Sequence, residues 1–184
     1  MGLLRFLRKL KLKEKEMRIL FLGLDNAGKS SVIKSFMGES IQELSPTLGF
    51  EIRTFEIEGY RLSCWDVGGQ TTIRAYWRNY FEATDGVVWV VDSTDKERMV
   101  LCKKELDALL QQERLANASL LILANKQDIP GAMSSQEILE ILDLNRIQRR
   151  HWSIVPCSAA TRSGIENGFL WIIHDIASRL FTHP

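Results

Sequence analysis

Four short apolar runs divide the 184-residue chain, and polar residues close each of them. Their hydrophobicity is continuous rather than alternating, which is typical of parallel strands that are covered on both faces. The predicted strands are 17–23, 86–92, 119–125 and 152–159. Because segments with helical spacing lie between these strands, we predict an α/β fold with an open sheet and right-handed crossovers.

The segment 49–66 differs, because two short runs meet at Glu58-Gly59. Such a junction predicts a β-hairpin, and hence a mostly parallel, mixed sheet with one antiparallel edge strand. Three helices are indicated farther along by apolar spacing and by a capping pattern. Their markers are Leu101, Leu106, Leu109 and Leu110 for the first, Ser134 with Glu137 for the second, and Phe169, Ile172, Ile173, Ile176 and Leu180 for the third.

Composition limits the class of protein. The length predicts one main domain, which we place at 17–184, and a net charge of +1 gives no field that would attract nucleic acid. No run has the length of a membrane span, and the first residues lack the apolar core and cleavage site of a signal peptide, so we expect neither feature. Cys64, Cys102 and Cys157 are widely spaced, which predicts free thiols in a reducing cytoplasm, with Cys64 and Cys157 in the core.

Polar motifs follow the ends of the predicted strands. Gly23, Asp66, Asp92, Asn125 and Ser158 each come directly after an apolar run. In open α/β sheets, ligands bind beyond the carboxyl ends of the strands. We therefore expect these motifs to meet in one crevice.

The first motif, Gly23-x-x-x-x-Gly28-Lys29-Ser30, has a predicted strand before it and a predicted helix after it, as a phosphate-binding P-loop requires. Glycines let successive N–H groups face inward, and the helix adds the positive end of its dipole. Lys29 would reach the β- and γ-phosphates, and the Ser30 hydroxyl would bind Mg²⁺. The predicted phosphate site is Gly23, Leu24, Asp25, Asn26, Ala27, Gly28, Lys29, Ser30 and Ser31.

The motif "NKQD" at 125–128 indicates which base the site takes. Asp128 would accept hydrogen bonds from N1–H and the 2-amino group of guanine, whereas adenine would leave this carboxylate unpaired. We expect Lys126 to lie along the base and Asn125 to tie its loop to the phosphate site. In "CSA", the N–H groups of Ser158 and Ala159 would meet the guanine carbonyl.

The motif "DVGGQ" at 66–70 predicts action on the nucleotide as well as binding. Asp66 would orient Mg²⁺ through water, Gly69 would bring a backbone N–H to the γ-phosphate, and Gln70 would orient the attacking water. Gln70 and Lys29 are thus the predicted catalytic residues. Thr47 would complete the Mg²⁺ shell only while a γ-phosphate is present, which predicts an order–disorder switch.

Taken in order, these motifs resemble those of the Arf and Arf-like small GTPases, and the likeness covers almost the whole chain. It extends through "YWRNYFEATDGVVWVVDSTD" (76–95) and "ANKQDIPGA" (124–132), and it is strongest to the type-two Arf-like branch. The resemblance implies a six-stranded sheet flanked by helices, GTP or GDP with Mg²⁺, and slow hydrolysis. It also implies exchange proteins and GTPase-activating proteins. No arginine stands at 44–47, so an activating partner would supply the missing positive charge.

The resemblance further implies an aromatic effector surface of Phe50, Trp65 and Tyr80. The implied effectors are soluble, namely prenyl-binding carriers of lipid cargo and tubulin-folding cofactors. In this family, GTP binding slides the hairpin by two residues and expels the N-terminal helix; a two-residue slip keeps every side chain on its original face. We expect a monomer in the cytoplasm, present in part at membranes or microtubule-organising sites.

Residues 1–16 predict an amphipathic basic helix, with Leu3, Phe6, Leu7 and Leu10 on one face. Its charge comes from Arg5, Arg8, Lys9, Lys11, Lys13 and Lys15. Two interpretations stay open: weak, reversible contact with an anionic membrane, or docking on the protein's own surface. Gly2 would permit myristoylation, although Phe6 stands where that motif has a hydroxyl, and the C-terminus lacks a prenylation cysteine.

Two other functions also stay open at this point. A binding module would hold GTP without hydrolysing it, and Gln70 would then have no catalytic role. A P-loop ATPase or nucleotide kinase would share the phosphate site but would need an adenine site in place of "NKQD".

Overall fold

The protein forms a six-stranded sheet flanked by helices, in a computed structural model that describes residues 2–42 and 44–181. The strands are β1 Glu16–Leu22, β2 Phe50–Ile57, β3 Tyr60–Val67, β4 Gly86–Asp92, β5 Ser119–Asn125 and β6 Trp152–Pro156. Their spatial order is β2-β3-β1-β4-β5-β6. Only β2 and β3 pair antiparallel among the described strands, and the other neighbours are parallel. The predicted mixed sheet with one antiparallel edge strand is confirmed.

Helices connect the strands and cover both faces of the sheet. They are α1 Gly2–Glu14, α2 Lys29–Phe36, α3 Thr71–Arg74, α4 Met99–Leu110, α5 Ser135–Ile141 and α6 Ile165–Leu180. Short 3₁₀ turns occupy Trp77–Tyr80, Lys96–Arg98, Glu113–Leu115 and Leu144–Arg146. The predicted capping box precedes α5, where Glu137 N–H donates to Ser134 Oγ at 3.2 Å and Ser134 N–H donates to Glu137 Oε2 at 2.8 Å.

The central strands are buried on both faces, which explains their continuous hydrophobicity. Trp89 of β4 packs in the core on the α4 and α5 side, and Val88 packs in the core on the α2 and α6 side. All three cysteines are free thiols, as predicted. Cys64 and Cys157 lie in the core as expected, and Cys102 is buried as well. Burial raises the pKa of the Cys102 thiol to about 11 and that of Cys157 to about 12, so these thiols stay protonated and unreactive.

The hairpin turn lies where the sequence predicts it. Glu58 and Gly59 have φ values of 49° and 79°, and Ile57 pairs with Tyr60, so the two central residues form a type I′ turn. The predicted strand 152–159 is too long, since β6 ends at Pro156. Ser158 and Ala159 leave the sheet, because their N–H groups donate to Ser163 O and to Asn125 Oδ1 instead.

The N-terminal helix α1 contacts the domain near its C-terminal end. Lys11 Nζ lies 2.7 Å from the Asp85 carboxylate, whereas Leu3 and Phe6 are 71% and 59% exposed. The side chains of Leu4, Leu7 and Arg8 lie outside the described residues, so the places of Leu7 and Arg8 on the two faces of the helix stay predictions. Within 2–42 and 44–181, no helix combines the length and the apolar character of a membrane span.

Candidate functional site

The loop between β1 and α2 curls over a lysine ammonium. Gly23 and Gly28 adopt φ values of 143° and 97°, and a Cβ at either position would overlap a neighbouring atom, Val90 O or Asn125 Nδ2. Only glycine therefore fits these two positions. Lys29, the first residue of α2, places Nζ 3.1 Å from Gly23 O and 3.0 Å from Leu24 O.

Lys29 is only 6% exposed, and its described hydrogen-bond partners are neutral carbonyls. Burial lowers the pKa of Lys29 to about 8, even though the negative charges of Asp66 and Asp25 raise it in part. A buried ammonium with this environment is incompletely compensated. An anion bound beside it would supply the missing charge.

Three oxygen-bearing side chains converge next to this lysine. Ser30 Oγ donates to Asp66 Oδ2, and Thr47 Oγ1 lies 3.0 Å from Ser30 Oγ and 3.4 Å from Asp66 Oδ2. Asp66 is 2% exposed, and burial raises its pKa against the opposing effects of the Ser30 hydrogen bond and the Lys29 charge. Its Oδ1 atom is buried and has no partner among the described residues.

Two hydroxyls and a carboxylate with an unpaired oxygen are the hard ligands that Mg²⁺ prefers. The residues present therefore fit the predicted metal, with the remaining ligands left to water and phosphate oxygens. The structure brings Ser30, Thr47 and Asp66 together as the sequence predicts.

A cavity of about 240 Å³ opens beside this cluster. Residues 25–26 and 28–31 line one side, residues 44–47 the second, and Gly68, Gly69 and Gln70 the third. The half-buried Gln70 immediately precedes α3 and lines this cavity. Its position is compatible with orienting water there, which stays a prediction.

Close packing against the P-loop requires glycine at position 69, a constraint that is not visible in the sequence. A Cβ on Gly69 would lie 2.5 Å from Asp25 N and from Gly23 O, so the backbone here packs directly on the P-loop. The 3₁₀ turn Trp77–Tyr80 fixes the neighbouring backbone, because Trp77 Nε1 donates to Gly68 O at 2.9 Å. The contact between the Gly69 N–H and a phosphate remains a prediction.

The other end of the crevice is held by hydrogen bonds within the protein. Asn125 Nδ2 donates to Ala27 O at 3.0 Å, and Ala159 N–H donates to Asn125 Oδ1 at 3.0 Å. Asn125 thus joins the P-loop to the loop after β6, where the sequence placed it. Ser158 Oγ donates to Asp128 Oδ1 at 2.6 Å, which orients that carboxylate. Because the N–H groups of Ser158 and Ala159 already donate to Ser163 O and Asn125 Oδ1, a contact with the guanine carbonyl requires one of these N–H groups to be shared.

Lys126 bridges the two loops of the crevice. Its Nζ donates to Asn26 O at 2.7 Å and to Asp92 Oδ2 at 2.6 Å. Burial raises the pKa of Asp92, but hydrogen bonds from Lys126 and Thr94 outweigh burial, so the pKa is lowered and the carboxylate stays charged. In the sequence, Asp92 is recognisable only as the end of a predicted strand. Its role in holding Lys126 appears first in the folded chain.

Two arginines that the sequence analysis did not single out contact the P-loop. Arg74 and Arg98 both donate to Asp25 Oδ1, at 3.1 Å and 2.8 Å. They lie 49 and 73 residues from Asp25 along the chain, so no local spacing would have indicated the contact.

The predicted effector residues form one aromatic cluster. The ring centroid of Phe50 lies 5.6 Å from that of Trp65 and 5.2 Å from that of Tyr80, and Trp65 and Tyr80 are 6.2 Å apart. The Arg18 guanidinium lies 3.8 Å from the Trp65 ring centroid and stacks beneath the cluster. Phe50 is exposed, so part of the cluster is accessible to a partner.

Comparison with known proteins places this geometry in a family. The model of the ADP-ribosylation factor family matches residues 3–176. The chain belongs to this family. It is 58% identical over 182 residues to ADP-ribosylation factor-like protein 2 of Drosophila melanogaster, covering 99% of both chains. It is also 58% identical to the protein of the same name from Arabidopsis thaliana, over 98% of both chains.

A solved structure supports the same assignment. The Arl6 BBS3 small GTPase from Trypanosoma brucei, with bound nucleotide analogue GppNp, superposes with a TM-score of 0.82 at 31% identity. The match covers 90% of this chain and 99% of that one. The predicted small-GTPase fold and the Arf-like resemblance are both confirmed, so the chain is an Arf-like small GTPase of the class that acts as a GTP-binding switch.

Proposed function

We propose that this protein is a molecular switch that binds GTP with Mg²⁺ and hydrolyses it slowly. The observation that carries the proposal is the convergence of Lys29 with the Ser30, Thr47 and Asp66 cluster beside a cavity lined by Gln70. Family membership supports the nucleotide class, and Asp128 at the other end of the crevice supports guanine over adenine.

Each residue has a defined task in this proposal. Lys29 would exchange its carbonyl partners for the β- and γ-phosphates, while Ser30 and Thr47 would hold the metal directly and Asp66 would hold it through water. Mg²⁺, when bound, would neutralise part of the phosphate charge. Gln70 orients a water whose oxygen forms a bond to the γ-phosphorus while the bond from that phosphorus to the β–γ bridging oxygen breaks. The protons of the water end on the phosphate that is formed, and GDP and inorganic phosphate leave.

The switch would act through Thr47 and the hairpin of β2 and β3. Thr47 Oγ1 lies 3.0 Å from Ser30 Oγ in this structure. Loss of the γ-phosphate would weaken the interactions that hold Thr47 at the predicted metal site and would release its loop. We propose that the hairpin then slips back by two residues and that α1 docks, whereas GTP binding slides the hairpin forward and expels α1. Among the described side chains of α1, Leu3 and Phe6 are exposed and Lys11 pairs with Asp85, which is compatible with such a displacement.

The partners we propose follow from the Arf-like resemblance and the aromatic cluster. Exchange proteins and GTPase-activating proteins would control the nucleotide. Prenyl-binding carriers of lipid cargo and tubulin-folding cofactors would bind the GTP form near Phe50, Trp65 and Tyr80. This implies a role in microtubule biology or membrane traffic, for a cytoplasmic protein whose α1 makes weak, reversible contact with membranes.

Two measurements test the proposal. GTP and ATP should compete very unequally for the purified protein, and equal binding would favour a P-loop ATPase or nucleotide kinase. In single-turnover assays with bound GTP, Gln70→Leu should slow hydrolysis, whereas Gln111→Leu, at the exposed residue that follows α4, should not. Tight GTP binding without turnover in the wild type would instead identify a binding module.

A further inference from the structure

A carboxylate lies inside a loop that is built to attract anions. Asp25 is the third residue of the P-loop and lines the same cavity as Lys29 and Gln70. A negative charge at this position would repel a triphosphate unless another group compensates it. The structure provides that compensation from two directions.

Arg98 fixes Asp25 from one side. Its Nη1 donates to Asp25 Oδ1 at 2.8 Å, its Nη2 to Asp25 O at 2.9 Å, and its Nε to Asp95 Oδ2 at 2.6 Å. Partial burial raises the pKa of Asp25, but the hydrogen bond and charge of Arg98 and the charge of Arg74 lower it by more. The carboxylate is therefore held in one orientation and stays ionised.

Arg74 connects Asp25 to the segment that carries Gln70. Its Nη2 donates to Asp25 Oδ1 at 3.1 Å, its Nε to Gly69 O at 2.8 Å, and its Nη1 lies 3.5 Å from Glu105 Oε1 on α4. The side chain of Arg74 is only 7% exposed. Each of its three nitrogens has a different partner, which uses the fixed fork of the guanidinium.

We propose, on the basis of the GTP hydrolysis proposed above, that Arg74 is a positioning residue: by bridging Asp25 and Gly69 O it holds Gln70 in register with the P-loop. Gly69 immediately precedes Gln70, and the Gly69 backbone already packs on Asp25 N. A shift of about 1 Å in a positioned group is enough to lose roughly a hundredfold in rate. Arg98 assists by presenting the carboxylate that Arg74 binds.

A lysine at this position is a poor substitute for the arginine. Its ammonium is a single point charge on a flexible stem, so it lacks the rigid pair of nitrogens with which Arg74 donates to Gly69 O and Asp25 Oδ1 at a fixed separation. Arg74→Lys therefore keeps the charge and removes the rigid bridge. Arg78→Lys is the matched control, because Arg78 lies on the same segment and is exposed.

The experiment is a double-mutant cycle on the full-length protein loaded with GTP. Single-turnover hydrolysis should fall roughly a hundredfold in Arg74→Lys and about tenfold in Asp25→Asn, which keeps a neutral acceptor. The double variant should be no slower than Arg74→Lys, because both changes break one bridge. Arg78→Lys should hydrolyse GTP at the wild-type rate.

A second readout separates positioning from a general loss of structure. The affinity for GDP, which lacks the γ-phosphate that Gln70 serves, should change by less than about threefold in Arg74→Lys. Wild-type hydrolysis in Arg74→Lys, additive losses in the double variant, or an equal loss of GDP affinity would each overturn the positioning role. If the wild type itself binds no GTP or does not hydrolyse it, the proposed function fails instead.

Discussion

The two ends of the crevice satisfy their polar groups in opposite ways. At the base end, hydrogen bonds of 2.6–3.0 Å link Asn125 to the P-loop and to the loop after β6, and they link Ser158 to Asp128. At the phosphate end, Lys29 is buried against neutral carbonyls, and Asp66 keeps a buried oxygen without a partner among the described residues.

This difference separates selection from switching. A base end that is already bonded within the protein presents one arrangement, so the ligand meets a formed recognition site and little ordering is needed. At the phosphate end, buried charges lack neutralising partners within the protein. Binding of phosphate and metal therefore stabilises these groups more than it stabilises those of the base end. We expect ligand-dependent change to concentrate at the phosphate end, and the following variants test that contrast.

The largest effect is expected from Lys29→Met. Removing the ammonium leaves the phosphates without the one buried cation of this loop among the described residues, and losses of this kind reach about 4 kcal/mol, or roughly a thousandfold in affinity. Both GTP and GDP should bind more weakly in titration calorimetry. Lys34→Met, on the same helix but outside the cavity, should bind normally. A loss below about tenfold would contradict the charge argument.

Asp128→Asn should alter selection with a smaller loss. The amide offers one acceptor and one donor in place of two acceptors, so GTP should bind about a hundredfold more weakly, or about 3 kcal/mol. Xanthosine triphosphate, which has a carbonyl where guanine has the amino group, should bind the variant better than GTP does. Competition against a fluorescent nucleotide measures both values, and unchanged preference for GTP would remove Asp128 from base recognition.

The buried lysine also predicts a pH dependence for the nucleotide-free protein. Burial lowers the folded pKa of Lys29 to about 8 from 10.5, so the unfolded chain binds more protons above pH 8 and stability rises with pH there. Between about pH 7.5 and 9.5, the wild type should gain roughly 2 kcal/mol of unfolding free energy relative to Lys29→Met. Denaturant unfolding at both pH values measures the gain. A constant difference between the two proteins would show that Lys29 does not titrate in this range.

The smallest effect is expected from Ser158→Ala, which frees Asp128 to rotate. Loss of one orienting hydrogen bond costs about 1 kcal/mol, so GTP affinity should fall about fivefold. Ser163→Ala is the control, because that exposed side chain lies on the same loop and only its backbone carbonyl holds Ser158 N–H. Equal behaviour of the two variants would mean that Asp128 needs no orientation by Ser158.

The sheet was largely predictable because strand burial leaves a direct trace in the sequence. β4 and β5 occupy the predicted residues, since continuous apolar runs are required where both faces are covered. β6 was predicted three residues too long, because the apolar run continues into "CSA" while its hydrogen bonds turn to Asn125 and Ser163. Hydrophobicity reports burial and does not report which backbone groups pair.

The site was predictable only where its chemistry is local. Lys29 and Ser30 follow glycines at fixed spacing, so the P-loop is readable from eight residues. Arg74 and Arg98 look like ordinary charged surface residues in their own surroundings, and only the folded chain brings them to Asp25. Contacts between distant segments carry no periodic or spacing signal, so they appear first in the structure.

The two edge strands of the sheet are β2, which belongs to the hairpin, and β6. β2 has free backbone groups along one side, but exposed Glu51 and Glu56, and Arg53 paired with Glu51 at 2.8 Å, interrupt its apolar positions. At the opposite margin β6 is five residues long and ends in Pro156, which cannot donate a backbone hydrogen bond. Both margins therefore discourage a strand of another copy from adding to the sheet. We expect the folded chain to resist ribbon-like aggregation at the concentrations that calorimetry needs.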